Sequence, residues 1–120
     1  MVVRNGPLLG PVLSRVIGML AARAQCPIDR LDDALLVADT VAAHSPDFTV
    51  NGAVRVELKA REGVIELTVA ALRRNGAQEM LAAAELPGVG NVLERVADAV
   101  EVRSDGDGEE ALYIRLGFGD

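Results

Sequence analysis

Apolar residues recur at steps of three and four at the start of the chain, the spacing of one face of an α-helix. This pattern predicts a first helix over residues 10–25, and Gly10 and Pro11 suit its start. The apolar face of that helix consists of Leu9, Val12, Leu13, Val16, Ile17, Leu20 and Ala24. A face this wide is typical of a helix that packs against a sheet or a second helix.

The same spacing continues after Cys26 and predicts a second helix. Asp29 is a suitable N-cap because its carboxylate can accept a hydrogen bond from a free N–H of the first turn. The buried stripe of this helix consists of Leu31, Leu35, Ala38 and Ala42. Ser45 precedes a proline, which disfavours helical backbone at that residue, so we expect the helix to end near His44.

The period then changes from helical spacing to strict alternation, which indicates β-strands. Residues 53–72 predict a β-hairpin, because apolar and charged residues alternate on both sides of a tight turn at Glu62 and Gly63. Residues 101–118 predict a second hairpin around an acidic turn from Asp105 to Gly108.

Two short helices are predicted between the hairpins, over residues 77–86 and 89–100. The inward positions of the later helix are Val89, Val92, Val96 and Ala97. With a short strand at residues 1–4, this order predicts an α+β fold, a two-layer sandwich with helices on one face of a largely antiparallel mixed sheet. We expect residues 1–120 to form a single domain.

Composition excludes several classes of function. The chain has 120 residues, of which half are apolar, and a formal net charge of −6. The negative charge argues against a nucleic-acid partner, and one Tyr, two Phe and no Trp leave little for base stacking. The single cysteine, Cys26, cannot form an internal disulfide, and no apolar run has the length of a membrane span. We therefore expect a cytoplasmic location and no membrane partner.

A glycine-rich turn in the run LPGVGNVLERVAD is the clearest candidate for chemistry. Gly88 and Gly90 stand directly before a helical pattern. Such a turn can hold a phosphate on the first N–H groups of the helix. It can also serve structure alone, by allowing the helix to approach the sheet or by adopting a positive φ. We favour the structural interpretation, since two glycines at this spacing are weak evidence for phosphate binding.

Two longer stretches resemble one known family. The run RLDDALLVADTVAAHS in the second helix and the run PGVGNVLERVADAVEV near the end are similar to segments of the histidine-kinase-like ATPase fold. Within that superfamily they most resemble the bacterial anti-sigma serine kinases. The resemblance extends from the first helix to the last strand and implies the same two-layer fold.

The resemblance also implies a nucleotide pocket, but most of its residues are replaced here. Asp39 stands where the family has a Glu, and Ala43 stands where it has the Asn that holds magnesium. Ala70 or Ala71 stands where an Asp reads adenine, so two polar contacts are missing. The remnant pocket that the resemblance implies consists of Asp39, Ala43, Ala71, Gly88, Gly90 and Asn91. Two losses of about 2–3 kcal/mol each would turn a micromolar site into a millimolar one.

The other candidate residues have plain structural interpretations that we prefer. Asp39 could be a general base, but without a metal ligand beside it a solvated carboxylate is the simpler interpretation. His44 suits the C-terminal end of a helix, and Cys26 has no second cysteine for redox chemistry. Arg73 and Arg74 suit an exposed turn, and the acidic turn lacks the ligand spacing of a calcium loop.

One surface feature points to a protein partner. Arg15, Met19 and Arg23 follow one another at four-residue steps and therefore share one stripe of the first helix. We call this set the cationic stripe. A methionine between two arginines suits a protein-binding surface, although a solvated helix face is the alternative. In the resembled family the first helix takes part in contacts with the sigma factor.

The sequence therefore predicts a degenerate, non-catalytic regulatory protein that acts by binding. The partners that the resemblance implies are a sigma factor, a STAS-type anti-anti-sigma protein, or a homologous subunit in a homodimer or heterodimer. No cofactor and no metal are expected. The alternative is a serine-protein kinase that still uses ATP and Mg through an altered pocket.

Overall fold

The computed structural model describes residues 1–88, 90–106 and 108–118. The inward position predicted for Val89 and the acidic residue Asp107 of the last turn lie outside the described residues. In chain order the elements are β1 (Val2–Arg4), α1 (Leu9–Arg23), α2 (Ile28–His44), a 3-10 turn (Ser45–Phe48), β2 (Ala53–Arg61), β3 (Val64–Leu72), α3 (Gly76–Ala83), β4 (Glu85–Leu86), β5 (Gly90–Asn91), α4 (Val92–Val96), β6 (Ala99–Ser104) and β7 (Glu110–Gly117).

A five-stranded sheet in the order β1-β2-β3-β7-β6 forms one layer, and its strand pairs are all antiparallel. The two predicted hairpins, β2–β3 and β6–β7, are confirmed and are joined through the β3–β7 pair. The helices cover one face of this sheet, so the predicted α+β two-layer arrangement is confirmed.

The two faces of the sheet differ in chemistry because successive strand residues point to opposite sides. In β2 the side chains of Val54 and Val56 are buried towards the helices, whereas Arg55, Glu57 and Lys59 are exposed. The second face, which we call the open sheet face, is therefore charged. The pattern explains why a single layer of helices suffices to complete the core.

Helix α1 matches its prediction closely. It begins at Leu9, one residue before the predicted start, and ends at Arg23. The residues it buries are Leu9, Leu13, Ile17 and Ala21. The predicted apolar face was too wide on one side, because Val12, Val16 and Leu20 remain half-exposed. These three side chains lie on the flank of the helix rather than over the sheet.

Helix α2 ends at His44 as predicted, but its buried stripe is rotated from the predicted one. Ala34, Val37, Ala38 and Val41 are the apolar residues that it buries fully. Leu31, Leu35 and Ala42 are only half-buried, and Ala42 lies next to Gly10 of α1. The prediction that Asp29 is the N-cap is also wrong, since the N-cap of α2 is Pro27, which has an extended backbone conformation.

The segment between the hairpins departs most from the sequence prediction. Helix α3 ends at Ala83, and residues 85–91 instead contribute the two short strands of a separate hairpin, β4–β5. Helix α4 has only five residues, and Leu93 is the one that it buries. Val96 and Ala97, predicted to face inward, are half-buried. Strand β6 begins at Ala99, where a helix was predicted.

Among the described residues, no helix combines the length and the apolar character that crossing a membrane requires.

Candidate functional site

The cationic stripe is exposed, as its helical spacing predicts. Arg15, Met19 and Arg23 all lie on the outer side of α1, and Met19 is 68% exposed. The buried residues Leu13 and Ile17 anchor the opposite side of the same helix. No ion pair joins either arginine to another residue in the part of the chain that the structure describes. Both guanidinium groups are therefore available to an external carboxylate.

Asp39 and Ala43 lie together on α2, as their four-residue spacing predicts, but on its exposed side. The buried residues Val37, Ala38 and Val41 define the side that faces the sheet, so Asp39 and Ala43 point away from it. The hydroxyl of Ser14 in α1 donates to Oδ1 of Asp39 at 3.3 Å. This placement fits a solvated carboxylate better than a general base.

Ala71 lies in an irregularity of the sheet, at a shift of register between β3 and β7. Its φ is +62°, which is unusual for a residue with a Cβ. Its N–H donates to Oδ2 of Asp105 at 3.2 Å, and its carbonyl accepts from the N–H of Val50 at 3.0 Å. Arg55 donates to the same carboxylate at 2.8 Å. The sequence identified Asp105 only as part of an acidic turn, and its contact with Ala71 could not be predicted because the two residues are 34 positions apart.

Gly88 and Gly90 are required for backbone conformation and not for close packing. Their φ angles are +74° and +92°. A Cβ built on either glycine meets no described heavy atom within 4 Å. The expectation that these glycines let a helix approach the sheet is therefore wrong. Their positive φ is the structural reason for glycine, since L side chains rarely adopt that conformation.

Substituting Gly90 tests this assignment. We expect Gly90→Val to lower the free energy of unfolding by about 1–3 kcal/mol, because valine must be forced into a positive φ. Gly18→Ala is the matched control, since Gly18 lies within α1 and a methyl group added there would also meet open space. That control should raise stability by up to about 1 kcal/mol, because alanine favours helix. Urea unfolding measures both, and an unchanged midpoint for Gly90→Val would contradict the assignment.

Asn91 is occupied with holding the end of this turn. Its Oδ1 accepts from the N–H of Glu94, which makes it the N-cap of α4. Its Nδ2 donates to the carbonyl of Leu81 in α3 at 2.6 Å. Both ends of the amide are thus used to fasten α4 to α3. That Asn91 belongs to the remnant pocket stays a prediction. Its two hydrogen bonds account for an asparagine at this position without a ligand.

The members of the remnant pocket do not converge through any described hydrogen bond or ion pair. Asp39 contacts α1, Ala71 contacts the turn after β6, and Asn91 contacts α3. Gly90 is the first residue of β5 and pairs with Leu86, and Gly88 lies between β4 and β5. In the described part of the chain, no group of three or more His, Cys, Asp or Glu is placed to hold a metal ion.

The remaining candidates lie outside the remnant pocket, and Arg73 among them has structural partners. Arg73 forms an ion pair with Glu79 at 2.6 Å and lies 5.3 Å from the ring centre of Phe48, so it fastens the exposed turn before α3. His44 is the last residue of α2, as predicted, and its interaction with the helix dipole stays a prediction. Burial raises the pKa of the Cys26 thiol, and the nearby Arg30 only partly opposes this. A raised pKa reduces the thiolate that redox chemistry requires.

The open sheet face holds a polar cluster that the sequence alone did not reveal. The hydroxyl of Tyr113 donates to Oε1 of Glu66 at 2.9 Å, and the guanidinium of Arg103 lies 3.8 Å from the tyrosine ring centre. Burial, and then the hydrogen bond to Glu66, raise the pKa of Tyr113. The phenol therefore stays protonated and stabilises the sheet rather than acting as a base. Cross-strand pairing at Thr68 and Tyr113 brings these residues together, which single-strand patterns cannot reveal.

Comparison with known proteins shows a shared fold. No protein-family model matches this chain, and no curated protein sequence matches it. Among solved structures, a chain of the SiaB–SiaC complex from Pseudomonas aeruginosa superposes with a TM-score of 0.63 at 14% sequence identity. The superposition covers 98% of this chain and 88% of that chain. At such low identity the likeness establishes the fold alone.

Proposed function

We propose that this chain is a regulatory protein that acts by binding another protein and not by transferring phosphate. The observation that carries the proposal is the exposed cationic stripe of α1, in a chain whose net charge is −6. The partner is a sigma factor, a STAS-type anti-anti-sigma protein or a related subunit, as the resemblance to anti-sigma kinases implies. The similar chain of the SiaB–SiaC complex, which is itself part of a protein–protein assembly, supports the same direction.

The chemistry of the remnant pocket supports a binding role. Ala43 offers no oxygen to a hard cation such as magnesium. Ala71 offers no side-chain acceptor for an adenine amino group, and its own N–H is already bonded to Asp105. Asn91 uses both ends of its amide within the protein. A nucleotide would have to do without these contacts or break existing ones.

The cationic stripe has the features of a protein contact. Exposed methionine adapts to the shape of a partner, and arginine is enriched where proteins meet. Neither arginine of the stripe is neutralised by a described carboxylate. A cationic patch on an acidic protein also orients an acidic partner during its approach. The proposed partner surface is therefore acidic.

Reversing the charge of the stripe tests the binding role. We expect the double change Arg15→Glu with Arg23→Glu to abolish capture of the partner when the tagged protein is used as bait in an extract of its native bacterium. Thermal unfolding should change little, because exposed charges contribute little to folding. Arg74→Glu is the control for a single charge reversal, and it is compared with Arg15→Glu and Arg23→Glu made separately, since Arg74 is exposed and lies in the turn before α3. Capture of the same proteins at the same salt by the double variant would contradict the proposal.

Nucleotide titration decides between the proposal and the kinase alternative. With a fluorescent ATP analogue and magnesium, we expect no saturation below about 1 mM, because two polar contacts are missing. Saturation in the low micromolar range would overturn the non-catalytic assignment and favour a serine-protein kinase with an altered pocket. The titration is independent of the capture experiment, so each result can be interpreted without the other.

A further inference from the structure

The edge of the sheet at β2 is only partly covered. Strand β1 has three residues and pairs with Ala53 to Arg55, whereas β2 continues to Arg61. The last contact along this edge joins Val56 to Met1, through N–H···O distances of 2.7 and 3.0 Å. Strand geometry turns the N–H and C=O groups of every second residue to the same side. The N–H and C=O groups of Leu58 and Ala60 therefore point away from β3, along the part of the edge that β1 does not reach. No described residue pairs with them there.

An apolar groove runs beside this open edge. Its volume is about 680 Å³. The lining residues are Met1, Val16, Leu20, Val56, Glu57, Leu58 and Lys59. Val16 and Leu20 are the half-exposed flank residues of α1, and Leu58 is half-buried at the rim of the core. Proteins that bind a peptide as an added strand do so with unpaired backbone N–H and C=O groups at a sheet edge, next to apolar side chains that receive alternate side chains of the peptide.

The groove adjoins the cationic stripe. On an α-helix, residues three apart are neighbours, so Met19 lies beside Val16 and Arg23 lies beside Leu20. On the other rim, Lys59 projects from β2, and among the described residues it has no ion-pair partner. Arg23 therefore flanks the groove on its helix side, and Lys59 and Arg61 flank the uncovered part of the β2 edge, whereas Glu57 lies at the end of the groove next to the residues that Met1 and β1 cover.

We propose that the edge of β2 from Leu58 to Arg61 receives an extended, acidic segment of a partner protein as an added strand. Alternate side chains of that segment are apolar and enter the groove against Val16 and Leu20. The intervening side chains are acidic and lie opposite Lys59. This inference rests on the proposed function, because it describes how the partner would be held.

Charge and register disfavour a second copy of the chain at this edge. A symmetric antiparallel pair centred on Leu58 would need the edge groups of Val56, which Met1 already occupies. A pair centred on Ala60 would set Lys59 of each copy against Arg61 of the other. A pair centred on Lys59 would set that lysine against its own copy at the centre, although Glu57 would then lie opposite Arg61. Like charges directly opposite each other destabilise a strand pair. An acidic segment avoids this repulsion, so a different protein fits the edge better.

Hydrogen exchange on the full chain tests the proposal directly. The probe is a capped seven-residue peptide of alternating valine and glutamate, titrated into ¹⁵N-labelled protein. We expect the amide exchange of Leu58 and Ala60 to slow by about tenfold or more at saturation, because their N–H groups become hydrogen-bonded. The same peptide N-methylated at its bonding amides should give no protection. A peptide with lysine in place of each glutamate should bind at least about tenfold more weakly.

Two variants keep the test specific. Lys59→Glu should weaken binding of the valine–glutamate peptide by about tenfold, whereas Arg74→Glu, with the same change of charge, should not. Leu20→Glu should also abolish protection, since it places a carboxylate in the groove. The thermal midpoint of each variant confirms that it is folded. A Lys59→Glu variant that binds as tightly as the parent overturns the proposal.

Other outcomes are equally decisive. The added-strand proposal is overturned if the lysine peptide protects these amides equally well, or if the peptide changes only residues of the open sheet face. Protection of Leu58 and Ala60 by raising the protein concentration alone overturns the choice of occupant in favour of a second copy. If the peptide gives no protection while capture still depends on Arg15 and Arg23, the added strand is wrong and the proposed function stands. If protection occurs but capture ignores the stripe, the stripe assignment is wrong instead.

Discussion

Replacing Leu93 with alanine is expected to lower the free energy of unfolding by about 3 kcal/mol, since truncating a buried leucine removes apolar contacts and leaves a cavity. Leu93 is fully buried and is the residue through which the five-residue α4 reaches the core. So short a helix has little stability of its own. The loss of this side chain should therefore release α4 locally as well as destabilise the whole domain.

Urea unfolding and amide exchange together check this result. Val92→Ala is the matched control, because Val92 is the half-buried neighbour in the same helix and should cost about 1 kcal/mol or less. In the Leu93→Ala variant we expect the amides of α4 to exchange through local opening, while those of β3 and β7 still require global unfolding. A change below about 1 kcal/mol would show that α4 is held by Asn91 and not by its buried leucine.

The parts of the fold that sequence predicted well are those with a long local pattern. Helix α1 and the β2–β3 hairpin each carry many residues of one period, so their existence and orientation follow from spacing. The proline after Ser45 also placed the end of α2 correctly. The exposure of Met19 follows from the same regularity, because it lies opposite the buried residues of α1.

The segment around α4 could not be predicted because distant contacts determine it. The apolar residues from Val92 to Val100 fit a helical period, but the helix stops at Val96. Beyond that point the chain pairs with β7, where Val100 lies opposite Ile114. The carboxylate of Asp98 also accepts a hydrogen bond from the N–H of Gly117. Sheet pairing thus overrides a local helical preference that comprises only a few residues.

For the candidate surfaces too, local sequence patterns predicted some features, and contacts between distant residues determined the others. Spacing placed Asp39 and Ala43 on one face of α2, but it could not show that this face points away from the sheet, because the buried stripe was misassigned. The groove at the β2 edge was also beyond prediction. It depends on how far β1 extends along β2 and on where α1 crosses them, and neither is encoded in one local pattern.

Arg30 provides the second test of the tertiary contacts, and it concerns the junction between α2, α4 and the end of β7. Its Nη1 donates to the carbonyl of Val96 at 3.3 Å, and its Nη2 donates to the carbonyl of Gly117 at 3.1 Å. The same guanidinium forms an ion pair with Asp33 at 2.6 Å and lies 6.0 Å from the ring centre of Phe118. One side chain therefore connects three elements that are distant in sequence.

We expect Arg30→Ala to lower the free energy of unfolding by about 2 kcal/mol, because it removes two charge-assisted hydrogen bonds and leaves two carbonyls short of a donor. Asp33→Asn is the control for the ion pair alone, which is partly exposed and should contribute less than about 1 kcal/mol. Arg30→Lys should recover only part of the loss, because an ammonium cannot span both carbonyls as a planar guanidinium does. Urea unfolding of the three variants measures these differences. Equal losses for Arg30→Ala and Asp33→Asn would assign the effect to the ion pair, and full recovery by lysine would show that charge alone, without the forked geometry, holds this junction together.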